Sequence, residues 1–150
     1  MPPRASDGPV LFAYDGSDPA KGAIREAARQ LSSGRPGIVL TVWEPLAAHP
    51  FAGEAAAWGV LEDDLEEEAG KVAADGARLA RSVGFDAMPL AQSGNPIWEC
   101  IVSSAADHDA EIVVMGSHGR TGIGLVLMGS VAAAVSRHTQ RPVLIVHASG

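Results

Sequence analysis

The sequence predicts an α/β protein built on an open, five-stranded parallel sheet with helices on both faces. Three observations predict it. Short apolar runs alternate along the chain with segments of helical period. The runs are continuous rather than alternating, as strands covered on both faces require. Apart from the stretch after the second strand, the connections are short, which suits strand–helix–strand units.

Pro9 to Tyr14 (PVLFAY) is the first strand. It stops at Asp15-Gly16-Ser17-Asp18-Pro19, where Asp18 is the expected N-cap and Pro19 the first helical residue, a position that loses no backbone donor. The helix runs to about Leu31 with Ile24, Ala27, Ala28 and Leu31 inward and Lys21, Arg25 and Arg29 on the wet side. A Gly/Pro turn leads to the second strand, Gly37 to Trp43. Glu44 to Gly59, with Pro45, Pro50 and Gly53, is irregular and is expected to be a mobile loop.

Helical period returns from Val60 to Val83, with Leu61, Leu65, Ala69, Val72 and Leu79 on one stripe. Gly76 takes the remaining position of that stripe. A glycine costs about 1 kcal/mol against alanine inside a helix, so either the helix packs closely there or it is weak at that turn. Acidic residues from Glu62 to Glu68 open this helix and Arg78 and Arg81 close it, in the sense the helix dipole favours. Phe85 to Ala91 is the third strand. Gly94-Asn95-Pro96 opens a helix with Ile97, Cys100, Ile101 and Ala105 inward. Glu111 to Met115 is the fourth strand, Ser130 to His138 the last helix, and Pro142 to His147 the fifth strand.

The 150 residues are expected to form one domain, 1–150, with a loose N-terminus at 1–8. Apolar types make up 47% and charged types 19%, the balance of a chain that folds around a core. A net charge of −7 argues against broad capture of nucleic acid or anionic membrane. One cysteine, Cys100, excludes an intramolecular disulfide framework and a multi-thiolate zinc site, and is read as a small core residue. No apolar stretch approaches the roughly 20 residues of a membrane span, and no leader pattern is present, so the chain is expected to be soluble and cytoplasmic.

In open parallel sheets, ligands sit beyond the carboxyl ends of the strands. Those ends are Asp15 to Asp18, Trp43-Glu44, Gln92 to Asn95 and Gly116 to Gly119. The last opens a glycine-rich stretch, MGSHGRTGIGLVLMGSV, from Met115 to Val131. Glycines after a strand let main-chain donors approach a phosphate, and Gly129-Ser130 adds the orphan amides of a helix start. Charge-assisted hydrogen bonds are worth about 1.5–3 kcal/mol each before the costs of association, which makes it feasible for three or four to hold a polyphosphate at about micromolar strength. A Walker loop is excluded because the only lysines are Lys21 and Lys71, and a dinucleotide fingerprint because Asp15-Gly16-Ser17 follows the first strand. A phospho-receiver site lacks its acidic cluster, its aspartate after the third strand and its lysine after the fifth.

Gly116-x2-Gly119-x9-Gly129-Ser130 resembles the G-x2-G-x9-G-[S/T] signature of ATP-binding universal stress proteins. The string GSHGRTG, the Asp15-Gly16-Ser17 turn, the Gly94-Asn95-Pro96 turn and the closing RPVLIV extend the resemblance along nearly the whole chain. It implies an adenine nucleotide alpha hydrolase-like, Rossmann-like sheet of order 3-2-1-4-5, with Asp15 and Gly116 side by side. It also implies that Asp15 lies beside adenine and ribose, with Ala13 and Tyr14 lining the entrance and Val42 against adenine. Met115 and Gly116 would border ribose and phosphates, and Gly119, Gly129, Ser130 and Val131 would hold the phosphates. Arg120, the only basic side chain in the loop, is a further candidate for them. ATP comes with Mg2+ or Mn2+ in that family, and a homodimer forms through the last strand, here Pro142 to His147.

The reading is an ATP-binding stress or signalling module acting on a protein partner not named by the sequence. Two alternatives compete: a nucleotide-independent dimeric interaction protein, and a slow ATPase. No lysine or paired carboxylates stand near the phosphates for rapid transfer, so hydrolysis is expected to be weak at most and no catalytic residue is assigned, His118 included.

Overall fold

The computed structural model describes residues 8–45, 53–54, 61–118 and 129–147. Apart from Gly8, Glu44, Pro45, Gly53 and Glu54, the expected loose start and mobile loop lie outside the described residues. The elements run β1 (Val10–Ala13), α1 (Asp18–Gln30), β2 (Pro36–Trp43), α2 (Glu62–Ser82), β3 (Asp86–Ser93), α3 (Ile97–Asp107), β4 (Ile112–Gly116), α4 (Ser130–His138) and β5 (Val143–Val146). All strands pair in parallel, in the order β3-β2-β1-β4-β5. This is the sheet the sequence predicts.

Alternation along β1 explains why its sequence is apolar throughout. Val10 and Phe12, with Tyr14 beyond the strand, point to one face and pack with Ala23, Ile24 and Ala27 of α1 and Ala77 and Ala80 of α2. Leu11 points to the other, where Ile101 and Ala105 of α3 meet Ala132 and Val135 of α4. A strand with helices on both sides has no wet face, so the period-2 polar signal disappears. At the edge the pattern changes. β3 exposes Met88 at 63% and carries Pro89, tolerable because an edge strand leaves one row of main-chain groups unpaired. Phe85 falls outside β3: its N–H bonds Ala80 O at the end of α2, and its ring meets Phe12 edge-on at 5.0 Å.

The first helix starts one residue earlier than Asp18 as N-cap would allow. Gly16 takes φ +81°, Asp15 Oδ1 accepts from Ser17 N–H at 3.0 Å, and Ser17 is left extended, its Oγ accepting from Ala20 N–H at 3.3 Å. Ser17 is therefore the cap, and Asp18 and Pro19 are the first two helical residues, whose amides have no intrahelical partner in any case. Ser17→Ala is expected to cost about 1 kcal/mol of stability, read as a lowered midpoint in urea denaturation.

The inward face of α2 also differs from the expected stripe. Ala69, Ala73, Gly76, Ala77 and Ala80 are buried, Val72 and Leu79 are only half-buried, and Leu61 is 61% exposed. The large apolar residues flank the contact line and the small ones form it. A line of small residues lets the helix axis approach the sheet, which no hydrophobicity count distinguishes from a weak helix. At Gly76 the approach is closest: an added Cβ would stand 2.6 Å from the Tyr14 ring and 2.7 Å from Val39 Cγ1. Close packing, not local weakness, is the reason for that glycine.

The end of the sheet opposite the strand C-termini is tied by Arg35, 5% exposed, whose Nε donates to Gly8 O at 3.0 Å and whose Nη2 meets Glu111 Oε2 at 3.3 Å. Among the described residues, no helix is long and apolar enough to cross a membrane.

Candidate functional site

Strand order reverses between β1 and β4, and each strand leads into a helix on a different face of the sheet. The crevice left between their carboxyl ends is the position where such sheets receive ligands. Phe12 pairs with Val114, so the turn after β1 and the residues following β4 leave the sheet side by side.

On the β1 side, Ala13 is half-buried at the strand end and packs on the α3–α4 face. Tyr14, expected with Ala13 at the entrance, turns its ring into the core. It is 5% exposed, with its ring in the core cluster against α2; its N–H donates to Leu40 O and its carbonyl accepts from Thr41 Oγ1, both at 2.9 Å. Tyr14 thus anchors the turn from beneath. Asp15, half-buried, is the residue that stands at the crevice, its carboxylate oriented by the Ser17 amide.

On the β4 side, Met115 is buried in the α3–α4 core. Gly116 is buried and faces the start of α1: a Cβ there would meet the Pro19 carbonyl at 3.1 Å. Ser117 follows, 0% exposed, its N–H on Val146 O at 2.9 Å. Gly119 and Arg120 lie outside the described residues. The described chain resumes at Gly129, the N-cap of α4, whose N–H donates to Ser117 O. A Cβ on Gly129 would stand 2.9 Å from that carbonyl. Gly116 and Gly129, thirteen positions apart in sequence, thus flank one point, with Ser130 and Val131 as the first residues of α4.

The electrostatics of that point follow from the helix start. The N-cap of α4 makes no side-chain hydrogen bond and the first turn carries no acidic residue. By contrast, α1 is capped by Ser17 with Asp18 beside it, and α2 opens on Glu62, Asp63 and Asp64. Among the described residues, no side-chain acceptor caps the first amides of α4, and the dipole favours an anion there.

Val42 lies farther along, half-buried near the end of β2 and beside the turn after β3, its Cγ1 3.5 Å from where a Gly94 Cβ would stand. That turn holds a cis Asn95–Pro96 bond and borders a shallow cleft of about 330 Å³ lined by Gln92, Asn95, Glu99, Cys100 and Ser103 among others. Cys100, expected in the core, is half-buried on the cleft wall, its Cβ 2.5 Å from the Gly94 Cβ position. Burial raises its pKa above the ordinary thiol value, opposed by a hydrogen bond with Ser104, and the group stays a thiol at neutral pH.

Sequence reasoning missed Ser117. The available signal was a hydroxyl residue directly following an apolar strand and set next to a glycine. Its role rests on contacts with Val146 and Gly129, which no local pattern encodes.

These features define a doubly wound α/β protein with the start of α4 beside its switch point. Within that class, the chain belongs to the universal stress protein family: the model described as "Universal stress protein family" matches residues 8–147. It is 35% identical over 141 residues to the Thermus aquaticus universal stress protein encoded in the QAH/OAS sulfhydrylase 3' region, covering 91% of this chain and 96% of that one. It is 36% identical over 86 residues to universal stress protein MJ0577 of Methanocaldococcus jannaschii, covering 57% of this chain and 52% of that one. The solved MJ0577 structure superposes with a TM-score of 0.81 at 26% identity, covering 97% and 99% of the two chains. A universal stress protein crystallised in complex with cAMP superposes at 0.62 with 25% identity, covering 97% and 100%.

Proposed function

We propose that this chain is an ATP-binding universal stress protein, of the branch carrying G-x2-G-x9-G-[S/T], whose nucleotide occupancy alters its shape or its protein contacts. The observation that carries the proposal is the start of α4, bare of acidic side chains and of a side-chain cap, joined through Gly129 and Ser117 to the end of β4. Asp15 on the neighbouring strand end supplies an acceptor for ribose hydroxyls or the adenine amine, and Val42 an apolar wall for the base. Gly129, Ser130 and Val131 hold the phosphates, with Gly119 assigned there by the signature; Met115 and Gly116 border ribose and phosphates, and Arg120 is included as the basic side chain of the same stretch. The relative crystallised with cAMP supports an adenine nucleotide as the ligand class.

A divalent ion would ride on the phosphate oxygens. Among the described residues, no three His, Cys, Asp or Glu side chains cluster to hold a metal, so in this reading Mg2+ or Mn2+ arrives with the nucleotide. The proposal extends to a homodimer through β5, an edge strand whose residues are all half-buried in the isolated chain, and to a cytoplasmic protein. Fast phosphoryl transfer is outside it.

Three charge-assisted hydrogen bonds supply about 4.5–9 kcal/mol before the cost of association, so micromolar binding, about 8 kcal/mol net, also needs the base and ribose contacts. Freshly purified protein, denatured and cleared, is expected to release adenine nucleotide on ion exchange, and stripped protein to give saturable heat with Mg-ATP. Neither nucleotide in the extract nor heat on titration returns the chain to a nucleotide-independent interaction protein.

A further inference from the structure

Ser117 sits at the joint of the proposed nucleotide site, and its side chain has a consequence separate from its main chain. The residue is wholly buried. Among the described residues, its hydroxyl meets one partner, Nδ1 of His118, at 2.9 Å. Such a bond can run in either direction. Were the imidazole to donate, the hydroxyl proton would be left buried without an acceptor among the described residues, and an unmet buried donor is costly. With the hydroxyl donating, the oxygen only leaves lone-pair capacity unused, which costs little. The second direction wins.

We infer that Ser117 is a positioning residue that donates to Nδ1 and thereby holds neutral His118 as its Nε2–H tautomer, a hydrogen-bond donor at the helix start that takes the phosphates. The opposite tautomer would present a lone pair at Nε2, which a phosphate oxygen repels. His118 stands close to that helix start, its Cα 3.7 Å from the Cβ position of Gly129. The phosphate part of this inference rests on the proposed nucleotide site; the tautomer does not.

Two measurements separate them. Ring-nitrogen NMR of the nucleotide-free protein, in buffer alkaline enough to keep imidazole neutral, is expected to show His118 protonated at Nε2 and bare at Nδ1. Protonation at Nδ1 in the wild-type protein overturns the inference, and this reading needs no variant to fold. For the ligand, Ser117→Ala is expected to weaken Mg-ATP binding about threefold to tenfold, as His118→Ala does, since one hydrogen bond is misdirected or lost. Because Ser117 acts through His118, adding Ser117→Ala to His118→Ala is expected to change nothing further. Fully additive losses assign Ser117 a merely structural role and overturn its positioning of His118. Wild-type protein that binds no nucleotide yet holds the Nε2–H tautomer supports the orientation of His118 and overturns the nucleotide site alone.

Discussion

Gly129→Ala is expected to weaken Mg-ATP binding by about a hundredfold while the sheet stays intact. Gly129 has φ −65° and ψ 158°, angles open to any residue, so backbone strain plays no part. The cost is steric. The new Cβ would stand 2.9 Å from Ser117 O, a main-chain atom of the residue that follows β4, and main chain cannot swing aside as a side-chain tip can. Relief comes by moving the start of α4 away from β4, which also breaks the Gly129 N–H bond to Ser117 O. Donors at a helix start hold an anion only when they converge on it, and losing two charge-assisted bonds costs about 3 kcal/mol, a factor of about a hundred. Stability should fall by about 1 kcal/mol, or roughly 2–4 °C in Tm at this chain length. Gly129→Val crowds the same carbonyl with a larger group and should abolish measurable binding. Calorimetric titration beside a thermal melt checks both. Unchanged affinity in a folded variant would place the nucleotide elsewhere.

Gly76→Val is expected to destabilise the protein by about 2–3 kcal/mol, with Tm lower by roughly 5–10 °C. Two effects compete at this position. Replacing a helical glycine removes backbone freedom from the unfolded chain and favours the helix by up to about 1 kcal/mol. Against that, the first added carbon would meet Tyr14 Cδ1 at 2.6 Å, Tyr14 Cε1 at 2.7 Å and Val39 Cγ1 at 2.7 Å. Val39 is 0% and Tyr14 5% exposed, so neither has space to retreat into. Overpacking a tight core costs about 1–3 kcal/mol for small additions, and the branched methyls of valine take it to the top of that range. Gly76→Ala separates the effects: a net loss of stability in urea denaturation supports the close approach. A gain of about 1 kcal/mol would mean that α2 stands farther from β2 than the structure has it. Because Tyr14 anchors the turn that carries Asp15, both variants should also weaken nucleotide binding, by less than Gly129→Ala does.

The two glycines show how differently legible the site and the core were. Gly129 stood out because its spacing from Gly116 and its position before Ser130 form a pattern along the chain. Gly76 was visible only as an anomaly inside a helical stripe, with two readings that local propensity cannot separate. Contact with Tyr14 and Val39, residues 62 and 37 positions away, decides between them. The N-cap of α1 is a smaller instance. Asp18 and Ser17 are both good caps, and the left-handed Gly16 with its Asp15 bond selected Ser17.

By itself, the sequence determined the α/β class, the number and sequence of strands and the glycine signature, because apolar periodicity and phosphate-type spacing are properties of neighbouring residues. Tertiary structure alone decided which face of α2 meets the sheet, that the Tyr14 ring turns inward, and that Ser117 joins β4, β5 and α4. Each of these depends on how closely two distant segments approach. That distance is set by the volumes of all the side chains between them, and no window of the chain contains the sum.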